Sequence, residues 1–343
     1  MKPQRVSLDV TNFPDSGTLE QQILQIIEYG IRAPSTHNTQ PWIFEFTGAT
    51  VAVSLDTTRS LAYADRTGRD LYMSIGCLLT NIEIAAAYFR MHCTTEIGTA
   101  DNTGLVAKIT FEKSTGRNEE FSALLTAIDQ RYNARGPLLP LSEAARQAIM
   151  ETQLVGGVVG VFVENNTNMQ KLGQITESGI CAFHNNPNFR KEFSGWMRGN
   201  YSQLRNGIHG YSVFMNDVVS YIAPIVMRFI NMGKMLGKLN AEGIAGAPLA
   251  AILLTEHDLP SDWIAAGKSL ELMALRAFTQ GAAASFYAAP IEHGPAREEL
   301  RAMTNTTALL PQFLVVFGVP EKVLPTTPRE SIASHTRPST PST

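Results

Sequence analysis

Two long apolar segments constrain the fold of this chain more than any other feature of its sequence. Residues 71–89 and residues 263–289 carry few charges, and each is long enough for about five or more helical turns. The first approaches membrane-spanning length, but Asn81 and Glu83 in its interior favour burial inside a protein. Strand-like stretches such as WIFEF and LVAKITF accompany the helices. We therefore predict an α+β fold with mixed or antiparallel sheets flanked by helices.

The two long segments also resemble each other, which suggests an internal duplication. At an offset of 199 residues, five pairs are identical: Gly68 and Gly267, Leu71 and Leu270, Thr80 and Thr279, Ala85 and Ala284, and Tyr88 and Tyr287. The prediction is two protomer-like halves fused in one chain, at residues 1–115 and 116–330. The second half carries an aromatic-rich insertion at residues 185–240, and residues 331–343 are expected to form a flexible tail.

The composition limits the class of protein to which this chain can belong and the kinds of partner that it is expected to bind. Of the 343 residues, 44% are hydrophobic and 17% charged, which is typical of a globular protein. A formal net charge of -3 provides no basic field for nucleic acid. The three cysteines have no metal-binding spacing, leave one thiol unpaired and favour a reducing compartment. Because no apolar leader opens the sequence, we expect a cytoplasmic protein without a membrane partner.

Three polar stretches are candidate binding segments. The first is APSTHNTQPW, which gathers hydroxyls and amides between two prolines and can either bond a planar ligand with polar edges or cap a helix before a tight turn. The second is RYNAR, whose Arg131 and Arg135 can grip a phosphate or simply complement a helix dipole. The third is APIEH, expected to end the second long helix. Taken singly, the first two stretches leave both interpretations open, and the third is interpreted as the end of a helix.

Together the three stretches resemble the nitroreductase family, flavoproteins that hold FMN between two α+β protomers. APSTHNTQPWIFEF closely resembles the family signature APSSxNxQPW, and IDQRYNARGP is similar to its Arg-x-Ser-x-Arg phosphate clamp, with Asn133 in place of serine. PIEH is similar to the Pro-Ile-Glu-Gly segment that borders the isoalloxazine ring, with His293 in place of glycine. PTTPRES resembles the closing basic segment that reaches the FMN phosphate, which makes Arg329 a candidate.

The order of these motifs departs from the usual family, in which the clamp precedes the loop within one subunit. Here the loop lies in the first half and the clamp in the second, an arrangement that resembles the fused, Acg-like branch with one flavin site lost. The resemblance implies an FMN site and NAD(P)H as reductant. The implied cofactor-binding residues are Pro34, Ser35, Thr36, Asn38, Arg131, Tyr132, Asn133, Arg135, Pro290, Ile291, Glu292 and Arg329.

Two functions follow from the resemblance. One is an FMN-dependent oxidoreductase that transfers two electrons from NAD(P)H to nitro or quinone-type acceptors, with a small molecule as its partner and no side chain required as a catalytic base. The alternative is a protein that sequesters FMN under a cover and turns over little. The insertion at residues 185–240 distinguishes the two, because it either covers the flavin or only embraces the other half. A fused pair of protomers is compatible with a monomer as well as with a higher oligomer.

Overall fold

The computed structural model describes residues 2–98, 104–116, 121–306 and 308–337. Its helices are α1 Leu19–Gly30, α2 Arg69–Tyr88, α3 Ser122–Gln130, α4 Glu143–Met150, α5 Asn166–Asn185, α6 Pro187–Trp196, α7 Asp217–Phe229, α8 Gly233–Ala245, α9 Pro260–Thr279, α10 Ala289–Glu292 and α11 Gly294–Met303. Its strands are β1 Trp42–Thr47, β2 Thr50–Leu55, β3 Met91–Ile97, β4 Leu105–Lys113, β5 Leu138–Leu139, β6 Val159–Val163, β7 Met197–Arg198, β8 Ile208–His209, β9 Leu249–Thr255, β10 Ala283–Tyr287 and β11 Leu310–Pro320.

Two antiparallel sheets organise these elements. The first has the strand order β1-β2-β4-β3, and the register of its first pair sets Trp42 opposite Leu55. The second has the order β10-β11-β9-β6, with β5 paired to β11. Strand β9 is buried along its whole length because helices cover the sheet on both faces. The predicted α+β class with antiparallel sheets and flanking helices is confirmed.

Helices α2 and α9 cross at the centre of the molecule through two glycines. A Cβ atom on Gly76 would lie 2.2 Å from the carbonyl oxygen of Ile264, and one on Gly267 would lie 2.1 Å from that of Met73. The two contacts are reciprocal, and each residue lies 191 positions from its counterpart. In the structure, a residue of α2 therefore corresponds to the residue of α9 that lies 191 positions later in the chain. This offset differs by about two helical turns from the offset of 199 at which the two sequences match.

The second long helix is shorter than the sequence predicts. It ends at Thr279, and the alanine-rich stretch that follows forms β10 instead of continuing to residue 289. Gly281 has a φ of +76°, which ends the helix and turns the chain into the sheet. Pairing with β11 and burial then override the helix propensity of alanine in Ala283 and Ala284. APIEH consequently follows a strand and opens α10 rather than ending a long helix.

The insertion at residues 185–240 is mostly helical. Helices α6 and α7 pack around a small core of Met197, Ala223 and Met227, and α8 packs along α5. Asn186 and Asn216 cap α6 and α7 by accepting hydrogen bonds from backbone amides of their first turns. The apolar run at residues 218–230 is too short to span a membrane and contains Pro224, so its sequence favours a helix that is buried or faces a ligand or partner. It forms most of α7, and only one face of that helix is buried.

The expected flexible tail is ordered in its first part. Ile332–His335 forms a 3₁₀ turn whose two end residues are buried, and the backbone amide of Arg337 donates to the carbonyl of Phe44, 3.0 Å away. Residues 338–343 lie outside the described residues. Among those described, α2 is the one helix long and apolar enough to cross a membrane, and 83% of its most apolar stretch is buried inside the protein.

Candidate functional site

The loop between α1 and β1 is held in an unusual backbone conformation. His37, Asn38 and Gln40 have φ values of 54°, 56° and 54°, in the left-handed region that non-glycine residues rarely adopt. Each such residue costs on the order of 1–3 kcal/mol and persists only where its surroundings hold it. The Ser35 hydroxyl helps by accepting from the Gln40 amide at 2.9 Å. The tight-turn interpretation of this loop is thus correct for its backbone. Asn38 Oδ1 and His37 Nδ1 are buried without a hydrogen-bond partner among the described residues.

A cavity of about 320 Å³ lies where this loop meets both long helices and the second sheet. It brings together segments that are some 300 residues apart in sequence. Nine of the twelve residues implied by the sequence line it: Pro34, Ser35, Thr36, Asn38, Arg131, Tyr132, Asn133, Arg135 and Arg329.

The remaining three predicted residues do not line this cavity. Pro290 and Ile291 are buried in α10, while the Glu292 carboxylate forms an ion pair with Arg69. Because the chain leaves β10 and turns at once into α10, Ala288 and Ala289 face the cavity in their place.

A cluster of four arginines, Arg5, Arg32, Arg131 and Arg329, forms one wall of the site. All four side chains are buried, and three of them (Arg32 excepted) line the cavity. Arg131 donates to Glu271 at 2.8 Å, whereas Arg5 and Arg329 donate chiefly to backbone carbonyls. The buried carboxylates beside this guanidinium cluster are Asp129 and Glu271.

The guanidinium cluster carries more positive charge than its partners neutralise. Four guanidiniums face these two buried carboxylates, and the half-buried Glu28 adds a third negative charge near Arg32, so the cluster keeps an excess of positive charge in a buried environment. Burial together with Arg131 and Arg32 lowers the pKa of Arg5 to about 9. Burial together with Arg5, Arg131 and Arg32 lowers the pKa of Arg329 well below its ordinary value. Because buried like charges repel strongly, a dianion bound at this wall would relieve the repulsion.

Arg135 lies apart from the guanidinium cluster, contrary to a clamp in which it works beside Arg131. Helix α3 ends at Gln130 and Arg131 is already extended, with φ -62° and ψ 151°. The Asn133 side chain accepts from the Phe286 amide, so the segment runs alongside β10. Extended residues four apart are separated by about 13 Å, against roughly 6 Å on a helix.

Arg135 instead faces the cavity beside His37. No hydrogen bond or ion pair engages its guanidinium within the part of the chain that the structure describes. Burial and the charge of Arg135 lower the pKa of His37 to about 4, so the imidazole is neutral at physiological pH. The cavity therefore holds one unpaired cation next to a neutral ring.

A buried carboxyl group with a raised pKa also lines the cavity. Asp70, in the first turn of α2, accepts a hydrogen bond from the Thr36 hydroxyl at 2.8 Å. Burial, together with the nearby carboxylates of Asp65 and Glu292, raises the pKa of Asp70 well above its ordinary range. A carboxyl group that keeps its proton can donate a hydrogen bond or supply a proton to a bound ligand.

Residues 205–213, here called the covering segment, close one side of the cavity. Gly207, Ile208, Ser212 and Val213 line it directly. The backbone of Gly207 exchanges hydrogen bonds with Asn38, donating to its carbonyl at 3.2 Å and accepting from its side chain at 3.4 Å.

The side chain of Gln40 fastens the covering segment to the C-terminal stretch. It is fully buried, donates to the Arg205 carbonyl at 2.9 Å and accepts from the Glu330 amide at 2.9 Å. The loop with left-handed backbone thus holds two other walls of the cavity in place.

The sequence relates this chain to proteins of known family. No protein-family model matches it. Over 336 residues it is 22% identical to "Putative NAD(P)H nitroreductase Rv3131" of Mycobacterium tuberculosis, a match that covers 94% of this chain and 92% of that protein. The chain is homologous to nitroreductases. A shorter match, 30% identical over 142 residues, relates 41% of it to 42% of "Putative NAD(P)H nitroreductase acg" from the same organism.

A solved structure confirms the nitroreductase-like fold. The crystal structure of a "putative nitroreductase" from Anabaena variabilis covers 94% of this chain and 93% of its own, with a TM-score of 0.55 and 10% sequence identity. The similarity extends over both sheets and both long helices, and at this identity it establishes the fold alone.

Several residues of this nitroreductase homologue escaped the sequence analysis. Arg5 lies in an irregular N-terminal stretch, and nothing local marks it as part of the guanidinium cluster. Asp70 carried a usable signal, because a carboxylate at the start of an apolar helix is costly to bury. His37 lies within the APSTHNTQPW loop. Its role could not be recognised from the sequence because it depends on the position of Arg135.

Proposed function

We propose that the cavity binds FMN and that this protein reduces nitro or quinone-type acceptors by two electrons, with NAD(P)H as reductant. The observation that carries the proposal is the guanidinium cluster. Its excess positive charge suits a phosphate monoester, whose charge is about -2 at neutral pH. The names of the relatives, which specify NAD(P)H, and the family motifs around the cavity support the same conclusion.

The other walls of the cavity suit the rest of an FMN molecule. Ser35, Thr36 and Asn38 offer hydrogen-bonding groups for a ribityl chain or a ring edge. Met73, Leu270 and other apolar side chains provide surface for a planar ring. A volume of about 320 Å³ lies at the lower end of the range for small-molecule sites, roughly 300–1,000 Å³.

The protein's own contribution is binding, orientation and electrostatics. A bound flavin supplies two-electron redox chemistry. Arg5, Arg131 and Arg329 would hold the phosphate, while Arg135 would place positive charge elsewhere in the site. Asp70 would hold a proton beside the ligand, and the covering segment would exclude water. We assign no catalytic base, since this chemistry requires none.

We further propose that the cavity lies between two fused protomer-like halves. The reciprocal crossing of α2 and α9 at Gly76 and Gly267 has the geometry of a pseudo-twofold axis. Residues of the first half and of the second half line the same cavity. Because the loop and the clamp each occur once in the chain, the expected stoichiometry is one FMN per chain.

FMN sequestration is the second candidate, and the covering segment favours it. Its hydrogen bonds to Asn38 and Gln40 hold it over the cavity, where it would limit the approach of nicotinamide to the ring. The two candidates share the same ligand and differ in turnover.

Absorption spectroscopy of the purified protein, followed by anaerobic mixing with NADPH, tests both. A yellow protein that bleaches rapidly is an enzyme, whereas a yellow protein that stays oxidised favours sequestration. A protein that remains colourless after incubation with FMN and removal of free flavin would refute the FMN proposal. A ratio of heat-released flavin to protein near two would refute the single site.

A further inference from the structure

Exposed large hydrophobic side chains are concentrated in one part of the molecule. Of the nineteen found among the described residues, twelve lie between Tyr201 and Leu239. Isolated exposed apolar residues are common, but a contiguous patch marks a surface that another body covers. This concentration is independent of the cavity and of the proposed function. We propose that helices α7 and α8 dock on the surface of an anionic lipid membrane.

Helix α7 presents the main apolar face. Five residues spaced three or four apart share one side of it and are between 50% and 73% exposed: Val218 (69%), Tyr221 (59%), Ile222 (50%), Ile225 (63%) and Phe229 (73%). The opposite side, with Ser220, Ala223 and Met227, packs against the body of the protein. The apolar face is therefore held outward by a packed inner face and is not the result of a loosely attached helix.

Helix α8 extends the same surface and adds charge. Met235 and Leu239 are 54% and 62% exposed, and each follows an exposed lysine, Lys234 and Lys238 respectively. At the end of α7, the Arg228 guanidinium lies 5.6 Å from the ring centroid of Phe229, at the edge of the apolar face. An apolar face bordered by Arg and Lys is typical of helices that lie in the interface of an anionic membrane.

The charges favour a lipid surface over a second copy of this chain. Between Asp217 and Glu242 there are three cationic residues and no acidic one. Asp217 already accepts from Lys2, Asn200 and Tyr201 at 2.7–2.9 Å. Glu242 lies 3.9 Å from Lys238, so the carboxylates at both ends of this stretch already face a cation of their own chain. A second copy of this face would add the same cations, whereas anionic headgroups would complement them.

The inference concerns docking on a membrane and not crossing it. Helix α7 has 13 residues, which give it a length of about 20 Å, well short of the roughly 30 Å hydrocarbon core. It revises the expectation, drawn from the sequence, that the chain has no membrane partner. That expectation rested on the absence of a leader and of a spanning segment, and neither bears on an interfacial face.

Co-sedimentation of the full-length, flavin-loaded protein with vesicles tests the inference. We expect binding to vesicles of phosphatidylglycerol and phosphatidylcholine, weaker binding to phosphatidylcholine alone, and loss of the difference at high salt. The double variant Ile225→Gln/Phe229→Gln should bind at least about tenfold more weakly. Lys234→Gln/Lys238→Gln should lose the preference for phosphatidylglycerol. The control Val323→Gln, which changes an equally exposed residue elsewhere, should bind as the wild type does.

Two outcomes would overturn the inference. One is a wild-type protein that stays in the supernatant with phosphatidylglycerol vesicles. The other is equal binding by the wild type and Ile225→Gln/Phe229→Gln. If the protein ignores vesicles but forms dimers in sedimentation velocity, and the double variant abolishes them, the face is an interface between copies. Far-UV circular dichroism of each variant, with or without flavin, establishes that it is folded.

Discussion

Gly76 and Gly267 let the backbones of α2 and α9 touch, and each glycine faces a carbonyl oxygen of the opposite helix. Both helices also supply cavity residues, among them Asp70, Met73 and Leu270. The distance between the two helices therefore sets both the packing of the core and the width of the site.

Gly76→Ala should destabilise the protein strongly. Its new methyl group would lie 2.2 Å from a backbone oxygen, which no side-chain rotation can relieve, so the helices must separate. Overpacking of this kind costs about 1–3 kcal/mol or more. The matched control is Gly195→Ala near the end of α6, where nothing lies within 4 Å and alanine should stabilise by up to about 1 kcal/mol. Urea unfolding of both variants measures the contrast, and equal effects would contradict the close crossing.

Arg5→Met should reduce the preference for FMN over riboflavin. Arg5 donates to backbone carbonyls, so its removal leaves no buried carboxylate unpaired, unlike removal of Arg131 from Glu271. Losing one charged hydrogen bond to phosphate costs about 1.5–3 kcal/mol, or roughly 10- to 150-fold in FMN affinity.

The matched control for this experiment is Arg135→Met. Because Arg135 lies outside the guanidinium cluster, we expect it to weaken FMN and riboflavin alike and to leave their ratio unchanged. Asn38→Ala should have a smaller effect on both, about 0.5–1.5 kcal/mol. Titration of the apo-protein with each flavin gives the ratios. A full preference for FMN in Arg5→Met would place the phosphate elsewhere.

Asp70→Asn should change how stability depends on pH. The folded protein raises the pKa of Asp70 above its ordinary value of 3.8, so the folded state binds the proton more tightly than the unfolded state. The stability that this proton contributes is present below pH 3.8 and is lost as the pH rises through the folded pKa. Asparagine keeps the acceptor for Thr36 and does not titrate. The wild type should therefore lose stability relative to the variant as the pH rises above 3.8 in urea unfolding, and parallel curves would refute a raised pKa.

Gln40→Leu should loosen the covering segment. Leucine keeps the approximate size of the side chain but leaves the Arg205 carbonyl and the Glu330 amide without their partner. We expect faster flavin release and stronger quenching of flavin fluorescence by iodide. Gln203→Leu is the control, because Gln203 is exposed and bonds only to the nearby Tyr201 carbonyl. Identical quenching in both variants would show that Gln40 does not hold the covering segment in place.

Local sequence patterns predicted the strands and helices correctly where the intrinsic propensities of the residues determine the secondary structure. The alternating residues of β1 and β2 and the apolar stripe of α1, capped by Thr18 and Gln21, are found where the sequence predicts them. The end of α9 was missed because burial in a sheet overrode the helix propensity of an alanine run.

Residues of the site were predictable only where a motif marked them. The loop APSTHNTQPW and the segment RYNAR were identified from their residue types. The sequence predicted Arg135 to lie on a helix, but that helix ends five residues before it. Arg5 and the covering segment depend on contacts between residues more than 120 positions apart. Such contacts leave no periodic trace in a single sequence.

The guanidinium cluster joins the two ends of the chain, since Arg5 comes from the first residues and Arg329 from the last stretch. The Arg5 guanidinium also donates to the Thr327 carbonyl at 3.4 Å. The wall therefore forms only once both segments have been synthesised, and any anion that binds it must be captured after residue 329 has joined the fold.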